Sequence, residues 1–240
     1  MPALTRDDAF QTDRVTVAQR IVEECRQELG SRLLAAACYG SVAHHAAGPH
    51  SDVEIVLVTD DTVPYRDEYF FQDGILVECT TLSAMRMLEA ASRIPPDWGI
   101  KYDQYRHHLA LYDSVAFFPR LHAVADARPN VPFSTALQES WFTAYEMRGK
   151  VLNAVAAGDT STALSAGWSF AFWAAMRIAL HERVPYESTR TLWKEVAARG
   201  YGMRDLIEAL TAGKVADVPR TVEAVWHAMD RWDMPPSYSP

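Results

Sequence analysis

The chain has 240 residues, 49% of them apolar and 22% charged, an ordinary globular balance with room for one large domain or two modest ones. Its 23 basic and 31 acidic residues leave a net charge of −8. That argues against a general nucleic-acid binder, which needs clustered Lys and Arg, and suits a cationic partner.

The apolar spacing from 16 to 29 predicts a helix that Gly30 ends. Residues 33–39 read as a buried strand entering a turn at Gly40-Ser41, and 53–58 as a second strand dense in β-branched residues. Segments 68–71 and 75–79 flank Gln72-Asp73-Gly74, a hairpin turn. A helix is expected over 82–92, with Thr81 or Ser83 at its cap, before Pro95-Pro96 breaks the chain. Residues 108–113 read as a strand and 119–127 as a helix. A linker is expected at 128–132 (Arg-Pro-Asn-Val-Pro), and beyond it no strand pattern remains. Helices are expected over 134–157, 162–182, 189–198, 203–210 and 218–229. The organisation is therefore an α/β domain at 1–128 and an all-helical bundle at 129–240.

The longest apolar run, 170–180, is interrupted by Arg177 and reads as a buried helix rather than a membrane span. The opening MPALTRDDAF lacks the cationic-then-apolar order of a signal peptide. Three scattered cysteines (Cys25, Cys38, Cys79) form no Cys-x-x-Cys unit. Together these features point to a reduced, cytoplasmic chain with neither membrane nor nucleic-acid partners.

The most informative stretch is CYGSVAHHAAGPHSDVEIVLVTD, beginning at Cys38. Side chains alternate along a strand, so Asp52 and Glu54 point the same way. Neighbouring carboxylates repel each other unless a proton or cation lies between them. Magnesium accepts such pairs and keeps open positions for phosphate oxygens. The Gly40-Ser41 turn offers N–H groups and a hydroxyl suited to phosphate. A lone Asp-x-Glu is usually a solvated face and a lone Gly-Ser just a turn; their conjunction reads as a metal-nucleotide site.

Glu78, in ILVECTT, is a candidate third carboxylate or a receptor for a substrate amine, and Glu68 is a weaker one. Glu146 and Lys150 are four apart and share a helix face, by default an ordinary surface ion pair worth under about 1 kcal/mol. His44, His45 and His50 match no common zinc spacing and read as loop residues, with His50 placed near phosphates. Trp168 and Trp173 read as core or subunit interface.

The pattern apolar-Gly-Ser followed by Asp-x-Glu resembles the nucleotidyltransferase superfamily that includes DNA polymerase β. More narrowly, the Tyr-Gly-Ser and Gly-Pro-x-Ser-Asp-x-Glu elements resemble the kanamycin nucleotidyltransferase family, the aminoglycoside 4'-O-nucleotidyltransferases. The likeness continues through the Glu78 strand, YEMRGK, MRIALHERVPYESTRTL and LIEALTAGKVAD, so both halves are covered. The resemblance implies an α+β fold, a polymerase-β-like mixed sheet with helices followed by a helical bundle. It also implies transfer of a nucleoside monophosphate from a magnesium nucleoside triphosphate, ATP being the expected one, to an aminoglycoside hydroxyl such as the 4' position. Pyrophosphate is released, and the antibiotic is inactivated.

Carried over by residue, Asp52 and Glu54 would hold Mg²⁺, while Gly40, Ser41, Ser51 and Lys150 would grip the triphosphate. Glu146 would be the general base, and Glu78 and Glu68 would receive drug ammonium groups. A homodimer with shared sites is implied. Leu76 stands where the family has a lysine, the hairpin is one residue longer, and residues 140–143 lack the family's acids. The alternatives are transfer to a protein or another sugar, or a nucleotidyltransferase-fold antitoxin. Arg177 and His181, with three residues between them, fail the Arg-to-His spacing of the helical toxin class.

Overall fold

The computed structural model describes residues 6–127, 132–230 and 232, so the expected linker lies outside the described residues except for Pro132. The chain divides into two compact units: Met1–Arg93 with Tyr102–Arg128, and Ile94–Lys101 with Pro129–Pro240.

The first unit opens with helix α1 (Arg6–Leu29), which starts well before the expected residue 16. Its early turns carry no apolar stripe because Gln11 and Arg14 face inward as polar groups, Gln11 bonded to the short helix that follows the first strand and Arg14 to the loop after it. Gly30, at φ +58, ends the helix in a 3-10 turn. Strand β1 (Leu33–Cys38), short helix α2 (Gly40–Ala43) and strand β2 (Val53–Thr59) follow. Strands β3 (Arg66–Gln72) and β4 (Ile75–Ser83) form a hairpin closed by Asp73 and Gly74, both at positive φ, the signature of a two-residue type I′ turn. Helix α3 (Ala84–Ser92) is capped by the Ser83 hydroxyl, which accepts the Arg86 N–H at 3.4 Å. The chain then contributes α4 (Trp98–Lys101) to the second unit and returns with a 3-10 turn (Asp103–Tyr105), β5 (Leu109–Asp113) and α5 (Phe117–Asp126).

The sheet order is β3-β4-β2-β1-β5. It is mixed: β2 and β4 run parallel, while the other pairs are antiparallel. The central strands β1 and β2 are apolar on both faces because both faces are covered. Val53, Ile55 and Leu57 pack with α1, whereas Val56 and Val58 pack with α3 and α5. Edge strand β3 is largely exposed and charged, which discourages edge-to-edge pairing.

The second unit is helical: α4, α6 (Ser134–Ala156), α7 (Thr160–Glu182), α8 (Leu192–Arg199), α9 (Met203–Thr211) and α10 (Val218–Met229). Gly158 ends α6, and the Asp159 carboxylate caps α7 by accepting the Thr162 N–H at 3.0 Å. Helix α7 is long and apolar enough to cross a membrane by composition, yet its apolar side chains form the centre of this unit's core. Arg177 is buried there, its guanidinium donating to the Leu137 carbonyl at 2.7 Å. The segment after Pro95-Pro96 is α4, which packs on α7 so closely that a Cβ at Gly99 would meet the Ala179 Cβ at 2.7 Å. Trp168 meets Trp193 edge-on at 5.1 Å and packs on the core with Trp173.

Candidate active site

The parallel pairing of β2 and β4 sets Glu54 in register beside Glu78, both on the sheet face opposite α1. Asp52 stands just before β2, close enough for its charge to act on Glu54. Burial, and then the charges of Asp52, Glu78 and Asp103, push the Glu54 carboxyl up to about 7. The Tyr39 hydroxyl donates to Glu78 at 3.4 Å. Asp103 comes from the 3-10 turn, 51 residues beyond Asp52, and no local sequence pattern points to it.

Gly40 allows this arrangement. The Glu54 carboxylate lies directly against its Cα, so that a Cβ there would meet Oε2 at 1.6 Å. Gly40 also adopts φ +62, a region that glycine tolerates. The next residue, Ser41, opens the body of α2 with its hydroxyl oxygen buried and without a hydrogen-bond partner. Buried polar atoms are normally satisfied, so an orphaned hydroxyl beside a carboxylate cluster fits a missing polar ligand. The loop to β2 is strapped to α1 by the buried Arg14, whose guanidinium donates to the carbonyls of Ser51 at 2.8 Å and Pro49 at 3.1 Å. Gln11 donates to the Val42 carbonyl at 2.8 Å. The Ser51 hydroxyl accepts the Gly48 N–H at 2.9 Å and so shapes this loop from within.

Glu68 lies elsewhere. The two-residue turn pairs Glu68 with Cys79 and Tyr69 with Glu78, which puts Glu68 on the α1 face with Phe70 and Cys25. The β3 residues that share a face with Glu78 are Asp67 and Tyr69. Asp67 accepts a hydrogen bond from the Thr80 hydroxyl at 3.0 Å. Reading the turn as Gln72-Asp73-Gly74 hid this register; the Asp-Gly pair was the signal that could have revealed it.

Of the loop histidines, His45 and His50 are exposed, and His44 bonds Asp103 at 2.8 Å. Glu146 and Lys150 belong to the second unit, on α6, where they pair at 2.8 Å and remain more than half exposed. Exposed Phe142 and Tyr145 flank them on the same helix. The less exposed pair of that helix is instead Arg148 with Glu223 of α10, a half-buried, two-pronged contact at 2.9 and 3.0 Å.

The carboxylates could hold a divalent cation, and the Gly40-Ser41 turn could hold the phosphates that accompany it. Two curated relatives, both named aminoglycoside nucleotidyltransferase (4'), from Staphylococcus aureus and a Bacillus species, are each 24% identical over 230 residues, covering 92% of this chain and 90% of the relative. Among solved structures, a nucleotidyltransferase-like protein from Exiguobacterium sibiricum superposes with a TM-score of 0.50 at 12% identity, covering 89% of this chain and 73% of that one, which shows the shared fold. The family model described as KNTase C-terminal domain matches residues 115–234, half of the chain. The chain therefore belongs to the kanamycin nucleotidyltransferase family.

Proposed function

We propose that this enzyme transfers a nucleoside monophosphate from a magnesium nucleoside triphosphate, with ATP as donor, to an aminoglycoside hydroxyl, the 4' position by its relatives' names, releasing pyrophosphate. The observation that carries this reading is the acid cluster of Asp52, Glu54 and Glu78 beside an orphaned Ser41 hydroxyl. Asp52 and Glu54 hold Mg²⁺, which when bound supplies charge neutralisation and polarises the phosphates. Ser41 donates its hydroxyl to a phosphate oxygen, and Gly40 lets that backbone come close. Arg14 and Gln11 keep the turn in place.

Glu146 accepts the proton of the attacking sugar hydroxyl, and Lys150 offsets charge that builds on the phosphates. Both are exposed on α6, which leaves them able to complete the site of a second subunit in a shared-site homodimer. Glu78, with Asp67 on the same face, receives ammonium groups of the polycationic substrate. Asp67 takes this part in place of Glu68, which faces α1.

Incubation with Mg²⁺, ATP and a panel of aminoglycosides tests the reading. Mass spectrometry should show an added AMP on at least one drug, its position then given by NMR. A panel left unmodified by wild type under every nucleotide would overturn it.

A further inference from the structure

The acid cluster has a neighbour that nucleotide transfer does not require. Among the described residues, His44, Asp103 and His107 offer one ligand atom each, all within 4.8 Å of one another. His44 caps the C-terminal end of α2, and its Nε2 lies 2.8 Å from Asp103 Oδ2. His107 Nδ1 contacts the other Asp103 oxygen, Oδ1, and the two imidazole rings stand 4.8 Å apart, tilted by 49°. His44 and Asp103 are largely buried, at 18% and 13% side-chain exposure.

We propose that these three residues form a second cation site, selective for a zinc-class transition ion and distinct from the magnesium site at Asp52 and Glu54. Two imidazole nitrogens and one carboxylate oxygen are the donor set that borderline divalent ions favour over magnesium, which prefers oxygen. Asp103 and His107 lie four residues apart around one turn, closed by the His107 N–H donating to the Asp103 carbonyl at 2.9 Å. The third ligand, His44, comes from the end of α2, 59 residues before Asp103. Ligand atoms about 2.0–2.1 Å from a tetrahedral ion lie roughly 3.3 Å apart, so the 2.8 Å His44 contact must open by about half an ångström and the widest ligand pair, within 4.8 Å, must close by at most about 1.5 Å, a shift that rotation of the exposed His107 side chain supplies. Three protein ligands leave a fourth position open, and Asp103 is close enough to act electrostatically on Glu54. A bound ion would tie the 3-10 turn to the phosphate-side turn and place an open coordination position beside the nucleotide.

The test needs neither nucleotide nor activity. Tag-free full-length protein, stripped with chelator and returned to excess Mg²⁺ so that the Asp52/Glu54 site is filled, is titrated with Co²⁺ and then Zn²⁺, reading the visible cobalt bands and their displacement. One such ion per chain should bind, with affinity falling by at least about 100-fold in His107→Ala and in Asp103→Asn, more than the loss of an outer-shell partner costs. His107 is 54% exposed, so its truncation leaves the core untouched, and circular dichroism checks that the variant is folded. Asp52→Ala and His122→Ala should bind as wild type, the latter because the His108–His122 pair is a separate contact at 3.3 Å. The proposal is overturned by absent stoichiometric binding, by binding indifferent to His107→Ala, or by binding lost in Asp52→Ala. A protein that transfers nucleotide but fails this titration loses only the second site; one that passes it without transferring nucleotide loses only the proposed function.

Discussion

Glu54 and Gly40 act as one device. The carboxylate occupies the space of a missing Cβ, and burial together with three neighbouring acids makes its ionisation unfavourable without a cation. Gly40→Ala should lower kcat/KM at least about 100-fold, since an ångström-scale displacement in an active site costs that much, while far-UV circular dichroism stays unchanged. Near-normal kinetics would refute the close approach. The same carboxyl sets a pH dependence. In metal-free protein Glu54 keeps its proton up to about 7, whereas the ordinary value is 4.5. The folded state therefore binds the extra proton, and stability falls as pH rises from 4.5 to about 7. Thermal unfolding in chelator should show a shallower decline across that window for Glu54→Gln. Identical slopes would show that the group titrates normally.

At the scale of elements, the hairpin and the loop before β2 decide which polar groups reach the site. Type I′ geometry makes Asp67, not Glu68, the neighbour of the Glu78 face. Asp67→Asn should raise the aminoglycoside KM about fivefold, the value of a partly exposed charge contact near 1 kcal/mol, and Glu68→Gln should not. The reverse ranking, measured by steady-state kinetics, would require a different register. Arg14 donates to three carbonyls, from Phe10, Pro49 and Ser51, and so welds α1 to the loop. Arg14→Met leaves those carbonyls unsatisfied, and denaturant unfolding should register a loss of about 2–3 kcal/mol. Neither device announces itself in the sequence. A buried Arg in a polar helical turn looks like a solvated one, and a register slip of one residue changes every facing.

At the scale of the whole molecule, Glu146 and Lys150 stand exposed on α6 of a unit separate from the acid cluster. If sites are shared across a homodimer, mixing Asp52→Ala with Glu146→Ala subunits should recover about a quarter of wild-type activity, since half the random dimers carry one intact site. Activity no higher than either parent would place each site within one chain.

The sequence by itself determined the strands, most helix spans, the mixed α/β half followed by helices, and the family. Apolar periodicity and turn chemistry are local, and the Gly-Ser and Asp-x-Glu elements lie within one short stretch. It missed the first turns of α1, where polar side chains bind the loop instead of continuing an apolar stripe. It also read past α4, a single turn behind two prolines that packs with the helical unit. Only the tertiary structure decided that Glu54 rests on Gly40 and that Glu68 turns toward α1. Only it brought Asp103 and His107 to His44. Those relations join residues tens of positions apart, and distance along the chain carries no record of which side chains strand register and helix packing bring face to face.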